Sequence, residues 1–174
     1  IMFTDIGDVF YAGGDVVAGA NVNTVDSGAA LVFRQDGTFQ YRNSVGNLDF
    51  SAAYITNSSI DYGYNTALRY NFDLGNAGML APVVMYQFNK ADAMPTAVSA
   101  VEEYQTYGFG GQYFYGDFYA GATYVEEKFD AFAGSKDKTH GSDVVMAYDF
   151  GQFVMRAGYR YQALKDAPAA DLKI

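Results

Sequence analysis

From about Phe33 to Tyr161 an aromatic or aliphatic residue recurs at every second position of short segments, with small or polar residues between. Side chains of a strand point alternately to its two faces, so this period sorts each segment into one greasy and one polar face. Segment 33–42 places Phe33, Phe39 and Tyr41 on one face and Arg34, Asp36, Thr38, Gln40 and Arg42 on the other. Segment 48–56 opposes Leu48, Phe50, Ala52 and Tyr54 to Asp49, Ser51 and Ala53, and segment 66–74 opposes Leu68, Tyr70, Phe72 and Leu74 to Arg69, Asn71 and Asp73. Five more segments follow, centred on Val84, Phe109, Ala122, Met146 and Ala157. The pattern predicts eight amphipathic strands, most of about the 9–11 residues that cross a bilayer at a tilt.

The connections predict how the strands are joined. Short ones at 43–47, 75–78, 116–117 and 151–152 contain the Gly or Asn that tight hairpins use. Between them come a modest connection at 57–63 and longer ones near 91–102 and 129–141. Tight turns at one end and loops at the other describe an up-and-down meander, the sequence signature of an outer-membrane barrel. LDFSAAYIT at 48, FYAGATYVE at 118 and FVMRAGYRY at 153 repeat one strand type, with a Tyr where an interfacial ring would sit. The same alternation suits a soluble barrel or sandwich with an apolar interior. Against that stand a small, polar second face and more aromatics than one small core holds easily.

Composition sharpens the choice. Of 174 residues, 17% are aromatic and 18% charged, below the roughly 25% charged of soluble domains. No stretch offers the 18 or so apolar residues of a membrane helix, but alternating strands escape such a scan. The absence of Cys excludes disulfides and thiolate chemistry, and a net charge of −9 disfavours a nucleic-acid surface. Ile1 is not preceded by a charged and then apolar leader, so the expectation is that a signal peptide has been removed or that the chain is part of something longer.

The arginines Arg34, Arg42, Arg69, Arg156 and Arg160 all fall on the non-aromatic parity, whereas the lysines fall in loops, at strand ends or in the tail. A guanidinium facing lipid near the midplane costs about 2–4 kcal/mol, so a membrane barrel forces the arginines inward. There they face a lumen or pair with carboxylates such as Asp36, Asp49 and Asp73. The stretch TDIGDVFYAGGD, residues 4–15, has three acids and three glycines and no period. A flexible acidic segment entering from the loop side suits a plug folded into the lumen, since irregular backbone at membrane depth must be enclosed by protein or line water.

TDIGDVFYAGGD and RQDGTFQYRNSVGNLDFSAAY resemble the third loop, the following strand, the turn and the next strand of the general diffusion porins of Gram-negative outer membranes, the OmpC/OmpF type. Tyr41-Arg42-Asn43-Ser44 and Arg34, seven residues before the tyrosine, keep that family's spacing. The loop is about two residues longer than in the family between Asp5 and Gly13. The resemblance implies an antiparallel up-and-down transmembrane β-barrel, with about eight strands of a 16-stranded whole. Residues 1–30 would be a constriction loop in the lumen, 31–165 eight strands, and 166–174 a loop or the start of the next strand. It further implies a homotrimer in outer-membrane lipid and lipopolysaccharide, passing small hydrophilic solutes and ions without a cofactor. The pore constriction would gather Asp5, Asp8 and Asp15 opposite Arg34, Arg42 and Arg69. The rival from another class is a small eight-stranded structural or adhesion barrel with a filled interior.

An enzyme is not expected. His140, Ser142 and Asp143 are too close in sequence to converge as a triad, and one His without Cys makes a poor zinc site. The acid pairs Glu102/Glu103 and Glu126/Glu127 are expected to be solvated strand ends. GFGG at 108–111 is half a dinucleotide fingerprint, placed within a strand.

Overall fold

The computed structural model describes residues 37–58, 60–92, 101–132, 134, 136–164 and 172–173. They form one antiparallel sheet of β1 (Thr38–Val45), β2 (Leu48–Ile55), β3 (Ile60–Tyr70), β4 (Phe72–Asp73), β5 (Met79–Ala91), β6 (Val101–Tyr115), β7 (Phe118–Ala131), β8 (Lys136–Asp149), β9 (Val154–Leu164) and β10 (Leu172–Lys173). The spatial order β1-β2-β3-β5-β6-β7-β8-β9-β10 is the order in sequence, with two-residue β4 beside β5. Among the described residues the sheet is open: β1 pairs only with β2, and β10 only with β9. No helix among them is long and apolar enough to cross a membrane.

Each of the eight predicted segments holds a strand among the described residues, but the limits differ at both ends. The alternation predicts strand over 66–74; β3 runs from Ile60 to Tyr70, and Asn71 carries the pairing one step into the first turn by donating its backbone N–H to the Asn47 carbonyl. The long loop expected over 129–141 is instead the paired ends of β7 and β8, from Phe129↔Asp137 and Asp130↔Lys136 down to Tyr124↔Ser142. The apolar alternation stops at Tyr124 because the side chains become polar, while the backbone goes on exchanging hydrogen bonds. At the other end, Asn43–Val45 stay in β1, so the first turn shrinks to Gly46-Asn47. The contrast in connection lengths is thus weaker than the sequence suggests. The segment between β3 and β5 is longer than a tight turn and carries β4 and a 3-10 turn at Gly75–Ala77.

The register keeps the two faces separate from β1 to β9. Phe39↔Tyr54, Tyr54↔Tyr64, Tyr64↔Phe88, Val84↔Phe109, Phe109↔Tyr124, Ala122↔Val144 and Val144↔Tyr159 put the aromatic parity of every strand on one surface. That surface is the open one: Tyr54 is 51% exposed beside Ala53 at 6%, and Phe109, Met146 and Tyr159 are exposed. Its rings cluster at two levels. Near the turns lie the pairs Tyr41–Phe50, Tyr70–Phe72, Tyr113–Phe118 and Tyr148–Phe150; toward the loops lie Tyr62–Phe88, Tyr64–Tyr86 and Phe109–Tyr124. Tyr113 also ties the turn-side level to the 3-10 turn, its hydroxyl donating to the Ala77 carbonyl at 2.7 Å.

The opposite face is mixed, exposed along β1 but with Ile55, Val83, Val125, Ser51, Thr123, Glu127 and Asp143 shielded between β2 and β8. The irregularity between Ile60 and Tyr62 returns Ile60 to this face opposite Ala91, where it is fully buried. Two glycines separate conformational need from steric need. Gly78 has φ 92° and ψ −151°, a region essentially limited to glycine, and a Cβ there would run into the Phe114 carbonyl oxygen. Gly116, at φ 54°, faces open space. Gly78→Ala is expected to cost about 2–3 kcal/mol and Gly116→Ala about 1 kcal/mol, measured as shifts in urea unfolding; equal costs would show that the Phe114 contact is not constraining.

Candidate functional site: the polar inner face

Charged side chains on the inner face meet mainly across strands, because the register sets i and j directly opposite at about 5 Å. Near the turns, Asp49 of β2 lies opposite Arg69 of β3. Arg69 donates Nε and a terminal nitrogen to Asp49 Oδ2 at 3.1 and 2.9 Å, and Asn71 Nδ2 reaches the same oxygen at 2.9 Å. The other carboxylate oxygen accepts from Ser44 Oγ at 2.6 Å. Three side chains thus hold one carboxylate, and Arg69 keeps 26% of its side chain open to solvent.

Midway along the strands, Asp143 of β8 lies opposite Arg160 of β9 and accepts from its Nε at 2.7 Å and a terminal nitrogen at 3.3 Å. Farther toward the loops, Glu127 of β7 is fully buried between β6 and β8. Its Oε1 accepts from the Tyr104 hydroxyl at 2.7 Å and its Oε2 from Thr139 Oγ1 at 3.0 Å. The expectation that Glu127 is a solvated strand end is therefore overturned. β7 runs on past it, and the period of two turns Glu126 outward and Glu127 inward. Glu102 and Glu103 remain part-exposed beside Lys90, at 4.0 and 3.5 Å.

Of the six predicted constriction residues, Arg42 and Arg69 are described; Asp5, Asp8, Asp15 and Arg34 lie outside the described residues. Arg42 and Arg69 occupy the same face on β1 and β3, with Ser51 and Asp49 of β2 between them in the register. Arg42 is exposed and has no ion-pair partner among the described residues, whereas Arg69 is committed to Asp49. Of the carboxylates expected to neutralise the arginines, Asp49 does so. Asp73 instead accepts the backbone N–H of Gly75 at 2.8 Å and caps the turn, and Asp36 lies outside the described residues. Arg156 and Arg160 also take the inner parity, opposite Ala147 and Asp143. The sequence reading missed the Asp143–Arg160 pair and the Tyr104–Glu127–Thr139 group. Composition carries no sign of either; only the cross-strand register, with Glu127↔Thr139 and Asp143↔Arg160 directly opposed, reveals them.

The residues weighed for catalysis do not converge. His140 and Ser142 share the outer face, the imidazole lying between Tyr124 and Tyr161 at centroid distances of 6.3 and 5.9 Å, whereas Asp143 faces inward onto Arg160. GFGG lies within β6. Among the described residues no group of three or more His, Cys, Asp or Glu is placed to hold a metal ion. No protein-family model matches the chain, and no curated protein matches it significantly.

Two expected outcomes follow from these pairs. Asp49→Ala and Arg69→Ala should each destabilise the fold by about 1–3 kcal/mol, as charged hydrogen bonds do. A double-mutant cycle in urea should return a coupling of about 1 kcal/mol; additive effects would mean that the pair contributes nothing. Glu127→Ala strands two buried hydroxyls and should cost about 2–4 kcal/mol, more than Tyr104→Phe. Equal midpoints for the two variants would contradict the geometry.

Proposed function

We propose that the chain forms part of a transmembrane β-barrel of a Gram-negative outer membrane, a porin through which small hydrophilic solutes and ions diffuse passively. The observation that carries this reading is the sorting of the two faces: aromatic and aliphatic side chains crowd the open surface, while ion pairs and hydroxyls lie among aliphatic residues on the other. Water makes that sorting unfavourable, whereas a lipid surround with a polar interior requires it. The two levels of rings fit the aromatic girdles at the two interfaces of a bilayer. Between Tyr70 and Tyr62 on β3, one ring from each level, the outer face runs for eight residues, about 26 Å of strand, comparable with the apolar band of such barrels.

The open edges of the sheet favour a barrel with more strands than these. Eight strands enclose only a side-chain-filled interior and would suit a structural or adhesion protein, whereas sixteen leave an aqueous channel. In the porin reading the inner face is the channel wall, the protein is a homotrimer embedded among outer-membrane lipids and lipopolysaccharide, and no reaction or cofactor is involved. Arg34, Arg42 and Arg69 supply the basic side of the constriction, and Asp5, Asp8 and Asp15 the acidic side. Arg42, which has no ion-pair partner among the described residues, is the better candidate to meet a permeant; Arg69 is already neutralised by Asp49. Fixed charges lining a narrow, low-dielectric passage select permeants of opposite sign, and the excess of acids gives a modest cation preference.

Planar bilayers test this directly. The wild type should give stepwise conductance and a cation-selective reversal potential in a salt gradient. Asp5→Asn/Asp8→Asn should lower that selectivity, while Arg34→Ala and Arg42→Ala should raise it. Absence of conductance from protein inserted in lipid would favour the filled barrel, and a monomer soluble without detergent would exclude both.

A further inference from the structure

We propose that Lys128 and Lys138, directly opposed at the loop-side rim of the aromatic face, seat the phosphate of an anionic lipid headgroup. The proposal rests on the reading of that face as lipid-facing. Lys128 of β7 and Lys138 of β8 are register partners on the outer parity. Like charges directly opposite in a sheet repel, so the pair is unfavourable unless an anion lies between.

Two carboxylates on the same face are already engaged: Asp130 accepts from Lys136 Nζ at 2.6 Å, and Glu103 lies 3.5 Å from Lys90 Nζ. Among the described residues no carboxylate lies within ion-pair distance of Lys128 or Lys138. Lys128 instead lays its stem along the apolar surface, with Nζ 5.1 Å from the centroid of the Tyr107 ring. One step closer to the turns the same surface offers Tyr107, Glu126 and His140, then Phe109, Tyr124, Ser142 and Tyr161, and then Ala122, Val144 and Tyr159.

Two cations at the edge of a face rich in rings and aliphatic side chains fit an anion that carries its own hydrocarbon. A phosphate on a lipid would sit between the ammonium groups while its acyl chains lie along β7 and β8. A free phosphate would gain the charge and nothing from the face below, so the lipid is the occupant the surface favours.

The test uses the protein folded in a neutral detergent, with dimyristoyl phosphatidylglycerol and dimyristoyl phosphatidylcholine offered in equal amounts and the retained lipid counted by native mass spectrometry. The wild type should prefer the anionic lipid, by about fivefold per lysine. Lys128→Gln/Lys138→Gln should abolish the preference, and Lys90→Gln/Lys136→Gln, with the same change in charge, should keep it. The proposal is overturned if the first variant keeps the preference or if both variants lose it equally, which would mean diffuse charge alone. It is equally overturned if inorganic phosphate competes as well as the lipid, or if the added mass is a second copy of the chain. Uptake of both lipids without preference would remove the headgroup seat and leave the membrane reading standing; a protein that takes up neither and needs no detergent would remove both.

Discussion

Everything in this structure depends on an unbroken antiparallel register. A strand has a side-chain period of two, so a slip by one residue between any pair would carry a whole strand's aromatics to the other face. From β1 to β9 no such slip occurs, and the irregularities at Ile60/Tyr62 and Val101/Glu103 fall at the loop-side ends, beyond the aromatic stretches of β3 and β6. The separation of one surface rich in rings from another rich in ion pairs is the sum of many local pairings, each of which had to agree with the last.

That agreement explains what could be read from residues alone. Alternation such as Phe50-Ser51-Ala52-Ala53-Tyr54 states both the strand and its faces, and the side of Arg42, Arg69, Arg156 and Arg160 follows from parity. Strand ends were less legible. Past Tyr124 and Ser142 the outer face turns polar, and the sequence loses its contrast although the ladder continues through Lys128↔Lys138 to Asp130↔Lys136. Pairing partners were the least legible. That Glu127 meets Tyr104 and Thr139 depends on how β6 and β8 are aligned beside β7, which no single segment encodes. The acidic leader, with Asp5, Asp8 and Asp15, carries no period at all, so its place rests on resemblance.

The inner face also shows how charge is handled where water is scarce. Asp49 and Asp143 each lie beside an arginine and receive two of its N–H groups, and Glu127 has a hydroxyl on each oxygen. A buried carboxylate without such donors would cost several kcal/mol. The donors come from adjoining strands, so the same contacts that satisfy the charges also discriminate against neighbouring registers. Polar groups here act as alignment marks beside the cross-strand ring pairs of the aromatic face.

Among the described residues each long strand pairs only with the long strands before and after it, so the hydrogen-bond ladder is close to one-dimensional. Through the ladder a change in β2 reaches β1 and β3 first, and one in β8 reaches β7 and β9. Substitutions several strands apart should therefore combine additively. The sheet behaves more like a row of linked springs than a globule, able to acquire or lose hairpins in evolution while the remaining strands keep their own pairings.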